Sequence, residues 1–205
     1  MSAHSHELSQ RGALGNGFLR WLGASYLRLT GWRVDANVPQ DGKYVAIFAP
    51  HTSNWDFPYM MSIIFVLGIR AHWFGKRELF RGPLDPILRW MGGIPINRSA
   101  RGNMVDQMAA VLDAHEELVI GVAPEGTRSQ TPYWKSGFYH MAHKAAVPIA
   151  FAYLDYARKV GGMVPGFRPS GNIEKDMELI RAFFSGVQAR YPDEVGAITL
   201  RPPEA

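Results

Sequence analysis

Cysteine is missing from this 205-residue chain, which excludes disulfides, thiolate metal sites and a cysteine nucleophile outright. The absence suits a reducing compartment, although exported proteins also do without cysteine. Long apolar runs are missing too. The most apolar stretch, MMSIIFVLGI at 60–69, is ten residues long against the ~20 that a bilayer-spanning helix requires. The opening residues MSAHSHELSQRGALGNG lack the basic-then-apolar order of a signal peptide, so the expectation is a chain that is soluble or lies on a surface. No GxSxG elbow occurs, which removes the usual signature of an enzyme-borne serine nucleophile. No repeat, low-complexity tract or linker divides the chain.

What remains is globular in character. Apolar residues make up 47% and charged residues 20%, proportions that support a packed core in a single domain. Residues 1–16 are expected to be a flexible N-terminus and 17–205 one domain. The net charge of +4 is unevenly placed. Residues 61–101 hold Arg70, Lys76, Arg77, Arg81, Arg89, Arg98 and Arg101 against Glu78 and Asp85 alone. A basic centre in an otherwise balanced chain fits either a solvated face or an anionic partner such as phosphate, nucleic acid or acidic lipid. Nucleic acid is disfavoured, because no aromatic platform or recognition helix accompanies the basic residues.

Periodicity predicts alternating strands and helices. YVAIFAP (44–50) reads as a buried strand, followed by a helix over 57–69 with Pro58 in its first turn, where a missing N–H costs nothing. A strand within 71–79, a short helix before the glycines at 92–93, and strands at 94–97, 118–124 and 147–156 follow. Helices are expected over 102–117, 137–146 and 172–191. The pattern is that of an α/β domain with a largely parallel central sheet flanked by helices. An amphipathic N-terminal helix at 17–31 carries Phe18, Leu22, Tyr26 and Leu29 on one stripe. That stripe suits packing on the core or, alternatively, an interfacial helix with Trp21 and Tyr26 at headgroup level.

Chemistry-bearing residues gather at the ends of these strands. His51 leaves the 44–50 strand and Asp56 follows five residues later. On one helix that separation turns roughly 500° and keeps the side chains apart. If His51 sits in the loop and Asp56 opens the helix, the chain can fold back so that the carboxylate orients the imidazole and stabilises its protonated form. A loop histidine beside a capping aspartate would look the same. With no nucleophile on the enzyme, such a dyad suggests that the substrate brings the hydroxyl. APEGTRS (123–129) places Glu125, Gly126, Thr127, Arg128 and Ser129 after an apolar strand, a turn rich in donors for a phosphate. GGIPINRS delivers Arg98 after Gly92 and Gly93, and GKRELF supplies Lys76. His140 and His143 have spacing compatible with a metal, but no acidic third ligand stands nearby, so no metal is expected.

In this order the blocks HTSNWD, GKRELF, GGIPINR, PEGTRS and AAVPIA resemble the glycerolipid acyltransferase family, typified by 1-acylglycerol-3-phosphate acyltransferases. The resemblance covers residues 44–156. It implies that His51 acts as general base and Asp56 holds it. Lys76 or backbone N–H groups near Gly93 are then candidates for the oxyanion. Arg98 corresponds to the arginine associated with the acceptor phosphate, and Glu125, Gly126, Thr127 and Arg128 to the acceptor-binding turn. Val147, Pro148 and Ile149 fall in a packing block. Implied partners are an acyl thioester donor (acyl-CoA or acyl-carrier protein, as co-substrate rather than cofactor), a lysophospholipid acceptor, and the inner face of a membrane held peripherally from the cytoplasm. Alternatives are the same chemistry on a non-phosphate lipid or alcohol, hydrolysis, or a non-catalytic binder of anionic lipid. Pro50 before the histidine, Asn97 before Arg98, and Pro95 depart from the family pattern and bear on the identity of the acceptor.

Overall fold

A computed structural model of the chain describes residues 17–96 and 104–201. In chain order the elements are α1 (Gly17–Thr30), β1 (Arg33–Ala36), β2 (Lys43–Phe48), α2 (Asp56–Leu67), β3 (Ala71–Lys76), α3 (Asp85–Trp90), β4 (Gly93–Ile96), α4 (Met104–Asp113), β5 (Leu118–Val122), α5 (Gly137–Lys144), β6 (Ile149–Asp155), β7 (Val160–Phe167) and α6 (Ile173–Phe184), with single 3₁₀ turns at Arg77–Arg81 and Pro192–Glu194. The strands form one sheet in the order β1-β7-β6-β2-β5-β3-β4. Every pair is parallel except β6–β7. The expected α/β architecture is the one observed.

Strand β2 sits at the centre because its sequence can be covered on both sides, as parallel strands require. Val45 and Ile47 point to one face and pack with Ile120, Ile149 and the helices α4–α6 through Leu112, Phe138, Met141, Met177, Ile180 and Phe184. Tyr44 and Ala46 alternate to the other face and meet Val119, Ala150, Ala152 and, from α1 and α2, Leu19 and Ile64. Asn172 caps α6 by accepting from the Lys175 N–H at 3.1 Å. Asp176 then ties α6 to α5, because its carboxylate accepts from the Tyr139 hydroxyl at 2.7 Å.

Two features depart from the sequence reading, and a third decides between its alternatives. Strands β1 and β7 were not anticipated; β7 (VGGMVPGF) reads as turn material until the backbone is seen. A Cβ on Gly162 would lie 1.8 Å from the Asp35 carbonyl, so glycine is what lets β1 and β7 approach. The helix expected over 172–191 stops at Phe184, and residues 187–191 run on toward the loop after β2. The stripe of Phe18, Leu22 and Leu29 on α1 faces outward, with Leu29 87% exposed, while Leu19, Gly23 and Leu27 pack inward. Gly23 permits that contact, since a Cβ there would meet the Ser62 carbonyl at 2.7 Å.

Because β2, β3, β5 and β6 are mutually parallel through β2 and β5, their C-terminal ends share one edge. In open parallel sheets that edge is where ligands are held.

Candidate active site

The chain leaves β2 through a cis Ala49–Pro50 peptide bond and delivers His51 to this edge. Asp56, the first residue of α2, turns its side chain back into the loop. Its Oδ2 lies 2.9 Å from His51 Nδ1 and accepts from the backbone N–H groups of Thr52 at 3.1 Å and Ser53 at 3.0 Å. Three donors thus converge on one oxygen, which fixes the loop around the carboxylate and places the proton of neutral His51 on Nδ1. Nε2 is left as the basic atom. Asp56 is 1% exposed and the His51 side chain 17%, so the carboxylate is sealed while the imidazole still meets solvent. Pro58 falls in the first turn of α2, where no N–H is required.

Two further residues hold the pair, one of them expected in a different role. Glu125, just past β5, is buried, and its Oε2 accepts from the His51 backbone N–H at 2.9 Å. It therefore holds the His51 loop by its backbone and does not line the turn's exposed face. Burial pushes its carboxyl up to about 7, opposed in part by the His51 N–H bond and by the His51 charge. Tyr156, directly after β6, donates its hydroxyl to Asp56 Oδ1 at 2.7 Å. Burial first, and then this bond, push its phenol strongly upward. The sequence reading missed Tyr156. Its signal was an aromatic hydroxyl at the end of an apolar strand, which has no fixed spacing from the histidine.

The remaining expected residues divide. Gly126 has φ +68°, the left-handed turn geometry that glycine adopts at no cost, and its N–H donates to the Ala123 carbonyl at 3.1 Å. Thr127 is exposed and its Oγ1 accepts from the Ser129 N–H at 3.3 Å. Arg128 is exposed beside the dyad loop. Lys76 ends β3 on the shared strand edge. Gly93 is not brought to the dyad. It opens β4, three strand positions from β2, roughly 14 Å at the usual strand spacing. A Cβ there would meet the Leu88 carbonyl and the Phe80 ring, so the glycine serves close packing. Arg98 lies outside the described residues. Among the described residues no three His, Cys, Asp or Glu side chains cluster as metal ligands, and His140 and His143 are both exposed on α5.

Two cavities are lined by residues close to His51 in the chain, Phe48 in one and Thr52 in the other. An apolar one of about 520 Å³ is lined by Phe48, Phe57, Met60, Met61, Trp73 and Gly121, among others, and the Phe48 ring lies 5.4 Å from the His51 ring. A polar groove of about 590 Å³ runs along Thr52, Ser53, Asn54 and Trp55 to Tyr191, Asp193 and Glu194. Arg128 lines both. An amphiphile spanning them would pass Arg128, the residue they share.

A buried carboxylate bonded to a half-buried histidine at the strand edge, in a mostly parallel α/β domain, defines the class of protein. Comparison with known proteins gives that class a family. The Acyltransferase family profile matches residues 33–153, more than half of the chain, and the chain belongs to that family. The 1-acyl-sn-glycerol-3-phosphate acyltransferase of Haemophilus influenzae is 34% identical over 141 residues, covering 63% of this chain and 56% of that protein. The match thus spans little more than half of that relative's length. The crystal structure of the 1-acyl-sn-glycerophosphate (LPA) acyltransferase PlsC from Thermotoga maritima superposes with a TM-score of 0.56 at 19% identity, over 84% of this chain and 79% of that one. That likeness is one of fold.

Proposed function

We propose that the protein transfers a fatty acyl group from a thioester donor, acyl-CoA or acyl-carrier protein, to the free hydroxyl of a lysophospholipid such as 1-acylglycerol-3-phosphate. The single observation that carries this reading is the His51–Asp56 contact in the loop whose neighbouring residues, Phe48 and Thr52, line an apolar cavity and a polar groove. His51 Nε2 takes the hydroxyl proton as the acceptor oxygen attacks the thioester carbonyl. Asp56 stabilises the imidazolium so formed. The tetrahedral intermediate collapses, the C–S bond breaks, and the thiolate leaves. General base action supplies about 10²–10⁴-fold, and the rest comes from positioning and from donors to the oxyanion, for which Lys76 is the candidate. The apolar cavity has the size of ordinary ligand sites and takes the acyl chain. The polar groove takes the headgroup, with Arg128 at its mouth and Arg98 assigned to the acceptor phosphate from its place in the sequence.

Among the described residues no helix is long and apolar enough to cross a membrane. Outward Phe18, Trp21, Leu22 and Leu29 on α1 support peripheral association with the inner face of a membrane. One observation favours a second acceptor class: Asp193 and Glu194 line the same groove as Arg128, and two carboxylates suit a headgroup that carries an amine.

The test is mass spectrometry of products after the purified protein meets palmitoyl-CoA, or the carrier-bound acyl group, with 1-acylglycerol-3-phosphate and amine-bearing lysolipids. We expect an acylated product from the parent protein and none from His51→Ala, whose circular dichroism should match. Turnover retained by His51→Ala would defeat the mechanism.

A further inference from the structure

We propose that Tyr156 is a positioning residue for the dyad: its hydroxyl, held by packed rings, sets how strongly Asp56 supports His51. The inference rests on the reading of His51 as the base, and nothing in the family match covers the residue, which lies three positions past the matched segment 33–153. Asp56 Oδ2 is saturated by His51, Thr52 and Ser53, so Oδ1 would be a buried carboxylate oxygen without a donor if Tyr156 were absent. The hydroxyl is therefore needed to satisfy it, and it also draws negative potential away from the oxygen that faces the imidazole.

The phenol is placed with little freedom. The Tyr156 backbone N–H donates to the Gln188 carbonyl at 2.9 Å. Its ring stands edge-on to Trp32, with centroids 4.9 Å apart, and to Tyr59 at 6.0 Å. On its other side the Arg190 guanidinium lies 5.7 Å from the ring centroid, and the same guanidinium lies 5.8 Å from Trp55 and 5.6 Å from Tyr191. Arg190 thus joins the C-terminal segment to both Tyr156 and the catalytic loop through its cation–π contacts. Among the described residues, Glu125 from the β5 loop interacts with both His51 and Asp56, Tyr156 after β6 with Asp56, and Tyr59 of α2 and Arg190 of the C-terminal segment with Tyr156.

Two variants separate positioning from packing. Tyr156→Phe keeps the ring and removes the donor. Site-specific 3,5-difluorotyrosine at position 156 keeps the donor and makes it more acidic, while burial holds the phenol protonated. The primary readout is the His51 imidazole titration, followed by NMR in the protein without substrate. With Phe the carboxylate regains negative potential and the His51 midpoint moves up. With difluorotyrosine it moves down. In steady-state assays of Tyr156→Phe the acidic limb of the kcat/KM pH profile should move up in step with the His51 midpoint. Opposite displacements of the His51 midpoint support the assignment. A midpoint unmoved in both variants, or moved the same way by both, overturns it. The difluorotyrosine protein preserves the bond to Asp56 and so supplies the comparison if Tyr156→Phe folds poorly. The titration needs no turnover, so a parent protein inactive on every acceptor would defeat the proposed function while leaving this result readable.

Discussion

Replacing Glu125 with glutamine should stabilise the protein at alkaline pH and do little at acid pH. The carboxyl is buried against the His51 loop, and burial raises it to about 7, against an ordinary value of 4.5. Between those two values the folded state binds the proton and the unfolded state releases it. A carboxyl raised on folding makes its full favourable contribution below about 4.5, and that contribution falls away as pH rises to about 7. At about pH 8 the buried charge costs ~3 kcal/mol, and at about pH 5 only ~1 kcal/mol. Glutamine keeps a carbonyl oxygen to accept from the His51 N–H and carries no charge at either pH. The variant's advantage over the parent should therefore grow by ~2 kcal/mol between the two conditions, roughly 4–8 °C in Tm for a chain of this size. Paired thermal melts of the two proteins at both pH values measure it. An advantage that is the same at both would show that the His51 N–H bond, and not burial, governs the carboxyl.

The opposite slope belongs to His72. Burial lowers its pKa, with His115 and Arg70 adding to the effect against backbone carbonyl contacts, so it folds neutral and its contribution is lost as pH falls below 6.5. His72→Leu should lose less stability than the parent between about pH 7 and about pH 5.5 in urea titrations, and equal losses would contradict this. Gly121 lines the apolar cavity, and a Cβ there would meet only the His72 carbonyl, at 3.6 Å. Gly121→Leu should therefore fold and shift the donor preference toward shorter acyl chains, each excluded methylene costing ~0.8 kcal/mol or roughly fourfold in relative kcat/KM. An unchanged chain-length profile would place the acyl chain elsewhere.

Much of this arrangement could be read from residues close together in the chain. The apolar run through Val45 and Ile47, followed by His51 and Asp56, encodes strand, loop and helix start locally, and the two side chains do meet. What could not be read depends on long-range approach. Strand β7 hides behind Gly161, Gly162 and Pro165, residues that lower strand propensity, yet Gly162 is demanded by the nearness of β1 and Gly161 by the Ile63 and Leu154 side chains. Tyr156 lies 100 residues from Asp56, and only the shared strand edge joins them. The extent of the last helix was misjudged because Ser185 and Gly186 end it while the apolar pattern continues through Val187. The stripe on α1 was real, but Gly23 shows which side faces inward, and periodicity alone does not rank two apolar faces.

The segment after α6 carries a consequence for how the protein comes into being. The Tyr191 N–H donates to Thr52 Oγ1 at 3.2 Å, and the Gln188 carbonyl accepts from the Tyr156 N–H at 2.9 Å. During synthesis the histidine loop emerges well before the piece that braces it, since Thr52 and Tyr191 stand 139 residues apart. A nascent chain can lay down the centre of its sheet well before the loop that joins His51 to Asp56 is braced, so that loop is finished by contacts much later in the chain than the strands beside it.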